Sequence, residues 1–98
     1  MAEARFSRLA DLDLEGIAEY TFLTYGEGQA DAYRALLVQA ARSAAIFPLI
    51  GRPYLTKGGQ LLHKHNAGRH ALFYQPTEYG IFVVRVLHLM MDFDRHLD

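Results

Sequence analysis

From Ser7 onward, apolar and small side chains recur every three or four residues, at Ala10, Leu14, Ile17, Ala18, Thr21, Phe22 and Tyr25. Asp11, Asp13, Glu15 and Glu19 fall largely between them. That period predicts an amphipathic helix with Ser7 as its N-cap. Gly26 and Gly28 interrupt the stripe, and a second one starts near Gln29, with Ala30, Tyr33, Leu37, Ala40, Ala44 and Phe47. Pro48 has no amide hydrogen and ends it. A connection of a few residues folds the two helices into an antiparallel hairpin, and Ala40, Ala41, Ala44 and Ala45 permit close approach.

After Pro48 the period changes. Gly51-Arg52-Pro53 and Gly58-Gly59 predict an irregular loop. Leu61 to His65 and Arg69 to Tyr74 then read as strands around an Asn66-Ala67-Gly68 turn, and Thr77 to Gly80 as a second turn. Ile81 to His88 is nearly all apolar and rich in β-branched residues, which predicts a central strand. Strict alternation places Phe82, Val84, Val86 and His88 on one face and Ile81, Val83, Arg85 and Leu87 on the other. The expected core joins Leu14, Ile17, Phe22, Tyr33 and Leu37 to Phe82, Val84 and Val86. Ala4 to Phe6 fits a short edge strand, and Met91 to Leu97 a final helical turn or two. The expected class is therefore α+β: a short N-terminal strand, an antiparallel helical hairpin packed on an antiparallel sheet with a three-stranded C-terminal meander, and a short helical tail.

Composition narrows the function classes. Ninety-eight residues, half of them apolar, suit one small domain, taken as residues 1–98. The chain has no cysteine, so disulfides and thiolate metal sites are excluded. No basic-then-apolar leader opens the chain and no apolar run approaches a bilayer's width, so the expected location is cytoplasmic, with no membrane partner. The net charge of −1 conceals an asymmetry. Four basic against seven acidic residues up to Ile50 give −3, whereas six against four after it give +2, and all five histidines lie in that second part. This balance suits an acidic protein partner and is far from the basic stripe of a tight nucleic-acid binder.

Several motifs then fall in a telling order. An acidic and apolar helix over Ser7 to Thr21 leads to Tyr25-Gly26; Gln29-Ala30 and Tyr33 open the next; Gly51-Arg52-Pro53 follows. The closing segments are Gly68-Arg69-His70-Ala71-Leu72-Phe73-Tyr74, Ile81-Phe82-Val83-Val84-Arg85-Val86-Leu87-His88, Met91-Asp92 and Arg95-His96-Leu97. Over about nine-tenths of its length the chain resembles the ParE branch of the RelE/ParE toxins. The resemblance implies the toxin of a type II toxin-antitoxin system, neutralised by a ParD-like antitoxin and acting on DNA gyrase, with no cofactor. It departs from the pattern at His63-Lys64-His65-Asn66, where an arginine is common, and at Leu89-Met90, where glycine and arginine are common.

The same family contains ribosome-dependent mRNA endonucleases and degenerate members that keep only antitoxin binding, and both stand as alternatives. RNA cleavage by 2′-hydroxyl attack needs a base, an acid and cations around the phosphate. Arg69, Arg85 and His88 supply part of such a set, but no tyrosine follows Tyr79. We therefore expect binding rather than catalysis, with Arg69, Arg85, His88, Met91 and Arg95 toward the target and Tyr20, Tyr33, Leu37, Arg85 and Leu87 toward the antitoxin. Arg85 has a competing structural reading, an ion pair with Asp92 or Asp94 of the tail. His63 and His65 project from one strand face, as metal ligands would. A three-residue turn, however, would oppose them to Ala71 and Arg69 and leave His70 on the other face beside Lys64, with no third ligand in view.

Overall fold

The structure, a computed structural model, describes residues 2–97; Met1 and Asp98 of the expected 1–98 unit lie outside the described residues. Strand β1 (Glu3–Phe6) leads into helix α1 (Arg8–Tyr25), and α2 (Glu27–Ile46) ends in a single 3-10 turn at Pro48–Ile50. Strands β2 (Arg52–Leu55), β3 (Leu61–Ala67), β4 (His70–Thr77) and β5 (Gly80–His88) follow, then the short helix α3 (Asp94–Leu97). The sheet order is β1-β5-β4-β3-β2. β1 runs parallel to β5 and every other neighbouring pair is antiparallel. The sheet is thus mixed, and the expected three-stranded meander is its centre.

Local chemistry fixes the helix ends. The Ser7 hydroxyl accepts the Ala10 amide at 3.0 Å and donates to the Val84 carbonyl at 2.6 Å, so one side chain caps α1 and ties it to β5. Gly26, with φ of +93°, ends α1, and its amide donates to the Phe22 carbonyl. The second helix begins at Glu27, two residues before the predicted start, so Gly28 lies inside its first turn.

Three parts of the sequence reading need correction. Arg52–Leu55 is an edge strand paired with β3 rather than loop; Pro53, which cannot donate to a ladder, is tolerated at an edge. The β3–β4 turn is Gly68-Arg69, because Ala67 pairs with His70. Gly68 takes φ of +57°, and a Cβ there would sit 2.8 Å from the Tyr33 ring. The register consequently slides: His65 opposes Leu72 and His63 opposes Tyr74, which puts His63, His65 and His70 on one face.

The third correction is the phase of β5. Tyr74 pairs with Val83 and Phe73 with Arg85, so Val84 is the extra residue of a β-bulge. Ile81, Val83 and Val86 therefore face the helices, where they join Ala10, Leu14, Leu37, Ala41, Ala44, Ala45, Leu72 and Tyr74. Ile17 and Tyr33 pack at its margin. Val84 belongs instead to a second cluster with Leu62, Ala71, Phe73 and Leu87 on the opposite face, and Phe82 is only partly buried. Phe22 is 52% exposed and outside both cores.

The tail closes that second cluster. Phe93 meets the Phe73 ring edge-on at 4.9 Å and the Tyr54 ring at 6.1 Å, while the Tyr54 hydroxyl donates to Asp94 at 2.7 Å. On the helix side, the buried Tyr74 hydroxyl accepts the Gly51 amide at 3.0 Å and donates to the Pro48 carbonyl at 2.5 Å, which anchors the α2–β2 connection. Burial raises the Tyr74 pKa above its ordinary value, against the opposing pull of the Gly51 amide. No described helix is long and apolar enough to cross a membrane.

Candidate functional site

β1 ends at Phe6, opposite Val83, so the last five residues of β5 have no strand on that side. Unpaired backbone groups at such an edge need partners. Ser7 takes the Val84 carbonyl, and Asp13 of α1 accepts the Val86 amide at 2.9 Å. The Asp13 carboxylate also binds Arg85 through both oxygens, at 2.8 and 2.9 Å. The third nitrogen of that guanidinium, Nη1, donates to the His96 carbonyl at 2.9 Å. Arg85 thus joins the helical layer to the tail. Its partner is Asp13 rather than the tail carboxylates Asp92 or Asp94; Asp92 instead faces Arg95 at 3.5 Å in an exposed pair. The Asp13 hydrogen bonds raise the Arg85 pKa further, against the opposing cost of burial.

Above this lock, α1 and the start of α2 stand away from the ends of β4 and β5 and leave a groove of about 740 Å³. Leu12, Gly16, Ile17, Tyr20 and Tyr25 line one wall, and Val86, His88 and Met91 contribute to the other. Tyr33 and His70 close one part of the groove. The Tyr33 hydroxyl accepts the Arg69 amide at 2.9 Å and lies 2.6 Å from His70 Nδ1. With its oxygen accepting from Arg69, the Tyr33 hydroxyl has its own proton to give to His70 Nδ1, an arrangement that goes with the Nε2–H tautomer of neutral His70. His88 is the cross-strand neighbour of His70, with ring centroids 5.1 Å apart. Its Nδ1 accepts the Met90 amide at 3.0 Å. The His70 pKa is lowered by burial first and by His88 second, with Asp13 opposing.

The residues singled out from the sequence separate by position. Tyr20, Tyr33, Arg69, His88, Met91 and Leu87 line this groove, although Leu87 and Leu37 are buried in the two cores and offer little surface. Arg85 is 15% exposed and held by Asp13 and the His96 carbonyl, and Arg95 projects into solvent beyond the groove. Of the apolar tail residues, Leu87 is core, Phe93 covers the second cluster, and Met90 is 87% exposed. Sequence reasoning missed Asp13, His70 and Gly16 as parts of the site. The spacing of Asp13 and Gly16 on the polar side of α1 was the available signal. Among the described residues, no group of three or more His, Cys, Asp or Glu side chains is placed to hold a metal ion.

A strand, a helical hairpin, a meander and a tail latched by a β5 arginine define a small α+β protein built around an open groove. Residues 4–93 match the family described as ParE toxin of type II toxin-antitoxin system, parDE, and the chain belongs to that family. It is 43% identical over 94 residues to Toxin ParE1 of Mycobacterium tuberculosis, in strains CDC 1551 / Oshkosh and H37Rv alike, with 93% of each chain covered. The fold also matches a solved chain of the chromosomal ParDE TA system from P. aeruginosa, with a TM-score of 0.74, 16% identity, and coverage of 90% of this chain and 96% of that one. The protein is a ParE-type toxin of a type II toxin-antitoxin system.

Proposed function

We propose that the chain halts growth by binding DNA gyrase in the cytoplasm, and that a ParD-like antitoxin neutralises it by laying an apolar C-terminal segment into the groove between α1 and the ends of β4 and β5. The observation that carries the non-catalytic half is the closure of Arg85. Three of its five N–H donors are held by Asp13 and the His96 carbonyl, and the Asp13 carboxylate already neutralises its charge, which supports a structural role over stabilising a phosphate. His88 Nδ1 accepts the Met90 amide and His70 Nδ1 is paired with the Tyr33 hydroxyl within the fold, which suits packing rather than proton shuttling.

The antitoxin half is supported by the groove's lining. Leu12, Tyr20, Tyr25 and Met91 are exposed apolar side chains around it, the kind of surface that an amphipathic segment covers as it folds. Arg69 at its rim meets the need for a cation facing an acidic partner. The test is inhibition of gyrase-driven DNA supercoiling by the purified chain. Inhibition reversed by an equimolar antitoxin is expected, and supercoiling unaffected at micromolar toxin would refute the proposal.

A further inference from the structure

We infer that protons control how tightly the groove holds its partner: His70 and His88 form a paired imidazole floor that accepts an apolar antitoxin segment when both rings are neutral and releases it when they are charged. The inference rests on reading the groove as the antitoxin's seat. It follows from the direction of each hydrogen bond at the two rings.

His88 Nδ1 accepts the Met90 amide, and His70 Nδ1 lies 2.6 Å from the Tyr33 hydroxyl, whose proton it accepts in the Nε2–H tautomer. Protonating His88 at Nδ1 turns an acceptor toward a fixed N–H, and that bond is lost. Protonating His70 forces the Tyr33 hydroxyl to turn its proton elsewhere, while its oxygen must accept from Arg69 and His70 together. Two charged rings with centroids 5.1 Å apart would also repel. From α1, Asp13 favours the charged form, but its oxygens already serve Arg85 and the Val86 amide. From α2 the facing group is the Tyr33 hydroxyl; from the β3–β4 turn it is Arg69, which lines the same groove. β3 opposes His70 with Ala67, and the tail brings the His96 carbonyl only as far as Arg85.

An apolar segment seated on this floor removes water from both rings, and desolvation favours the neutral form. Binding then releases protons wherever the free toxin holds them, so acid weakens the complex. The conserved shape of the site with a non-titrating acceptor is available through His→Asn, whose side-chain oxygen can take the place of Nδ1.

The experiment measures the dissociation constant of the full-length cognate antitoxin, at pH 7.5 and pH 5.5. Wild-type toxin should bind roughly five- to tenfold more weakly at the lower pH. The double variant His70→Asn with His88→Asn should show a flat ratio, whatever its affinity at pH 7.5. Equal or tighter wild-type binding at pH 5.5, or a slope kept by the double variant, overturns the switch. Should that variant not fold, imidazole NMR titration of wild-type toxin decides: the His70 ring should titrate lower in the complex than free, and an unchanged or raised value overturns the inference. Tyr20→Ala separates the two readings. If it weakens binding at pH 7.5 while affinity ignores pH, the switch alone fails; if it changes nothing, the seat fails too.

Discussion

Asp13 and Arg85, 72 residues apart in the chain, meet through two hydrogen bonds of 2.8 and 2.9 Å, and the same carboxylate receives the Val86 amide. One acidic side chain of α1 thereby replaces the strand that β5 lacks at its end and fixes the arginine that holds the tail.

Removing that carboxylate leaves a largely buried guanidinium with only the His96 carbonyl, and the Val86 edge amide without its partner. Asp13→Ala should cost about 2 to 4 kcal/mol in urea unfolding. A loss under about half a kcal/mol would show that the pair holds nothing together.

The bulge at Val84 divides the apolar residues between two cores, and two truncations report on the division. Leu37→Ala, in the helix-side core, should cost about 2 to 5 kcal/mol. Phe22→Ala, on an exposed position, should stay within about 1 kcal/mol. Equal losses would contradict the division.

Gly16 sits in the middle of α1 and lines the groove, with no atom within 4 Å of a Cβ placed there. Gly16→Ala should stabilise the free toxin by about 0.5 to 1 kcal/mol, the ordinary difference in helix propensity. Gly16→Leu should fill groove space and weaken antitoxin binding. Unaltered binding of that variant would place the antitoxin elsewhere.

Much of this arrangement was legible in the sequence. Helical period, the Ser7 cap, Pro48 and the β-branched run at Ile81 to His88 located the hairpin and the meander. The phase of β5 was not legible, because a bulge inside a nearly all-apolar strand leaves each alternation with three apolar residues and one polar one. β2 was hidden by Pro53 and its flanking glycines, which read equally well as loop and as edge strand. The site depended on pairings between distant segments: nothing near Arg85 pointed to Asp13, and the turn one step further along the chain set which face His70 occupied.

The free toxin should itself lose stability in acid. The folded-state pKa of His70 lies below the ordinary 6.5, so the fold prefers the neutral ring. The contribution is present above pH 6.5 and is lost as pH falls below it through the folded value, because the unfolded chain then binds the proton more readily. Thermal melts at pH 7.5 and 5.5 should show a lower Tm in acid, with a smaller drop for His70→Asn. An identical drop in the variant would remove His70 from the effect.

The proposed function requires that this toxin act by binding its target and not by phosphoryl chemistry. The most direct measurement incubates one purified preparation with gyrase and relaxed DNA, and in parallel with mRNA-programmed ribosomes, using wild type and a folded His88→Ala variant. The account predicts inhibited supercoiling and intact mRNA, with His88→Ala retaining most of the inhibition. Efficient mRNA cleavage that His88→Ala abolishes would contradict it and make His88 a catalytic acid or base.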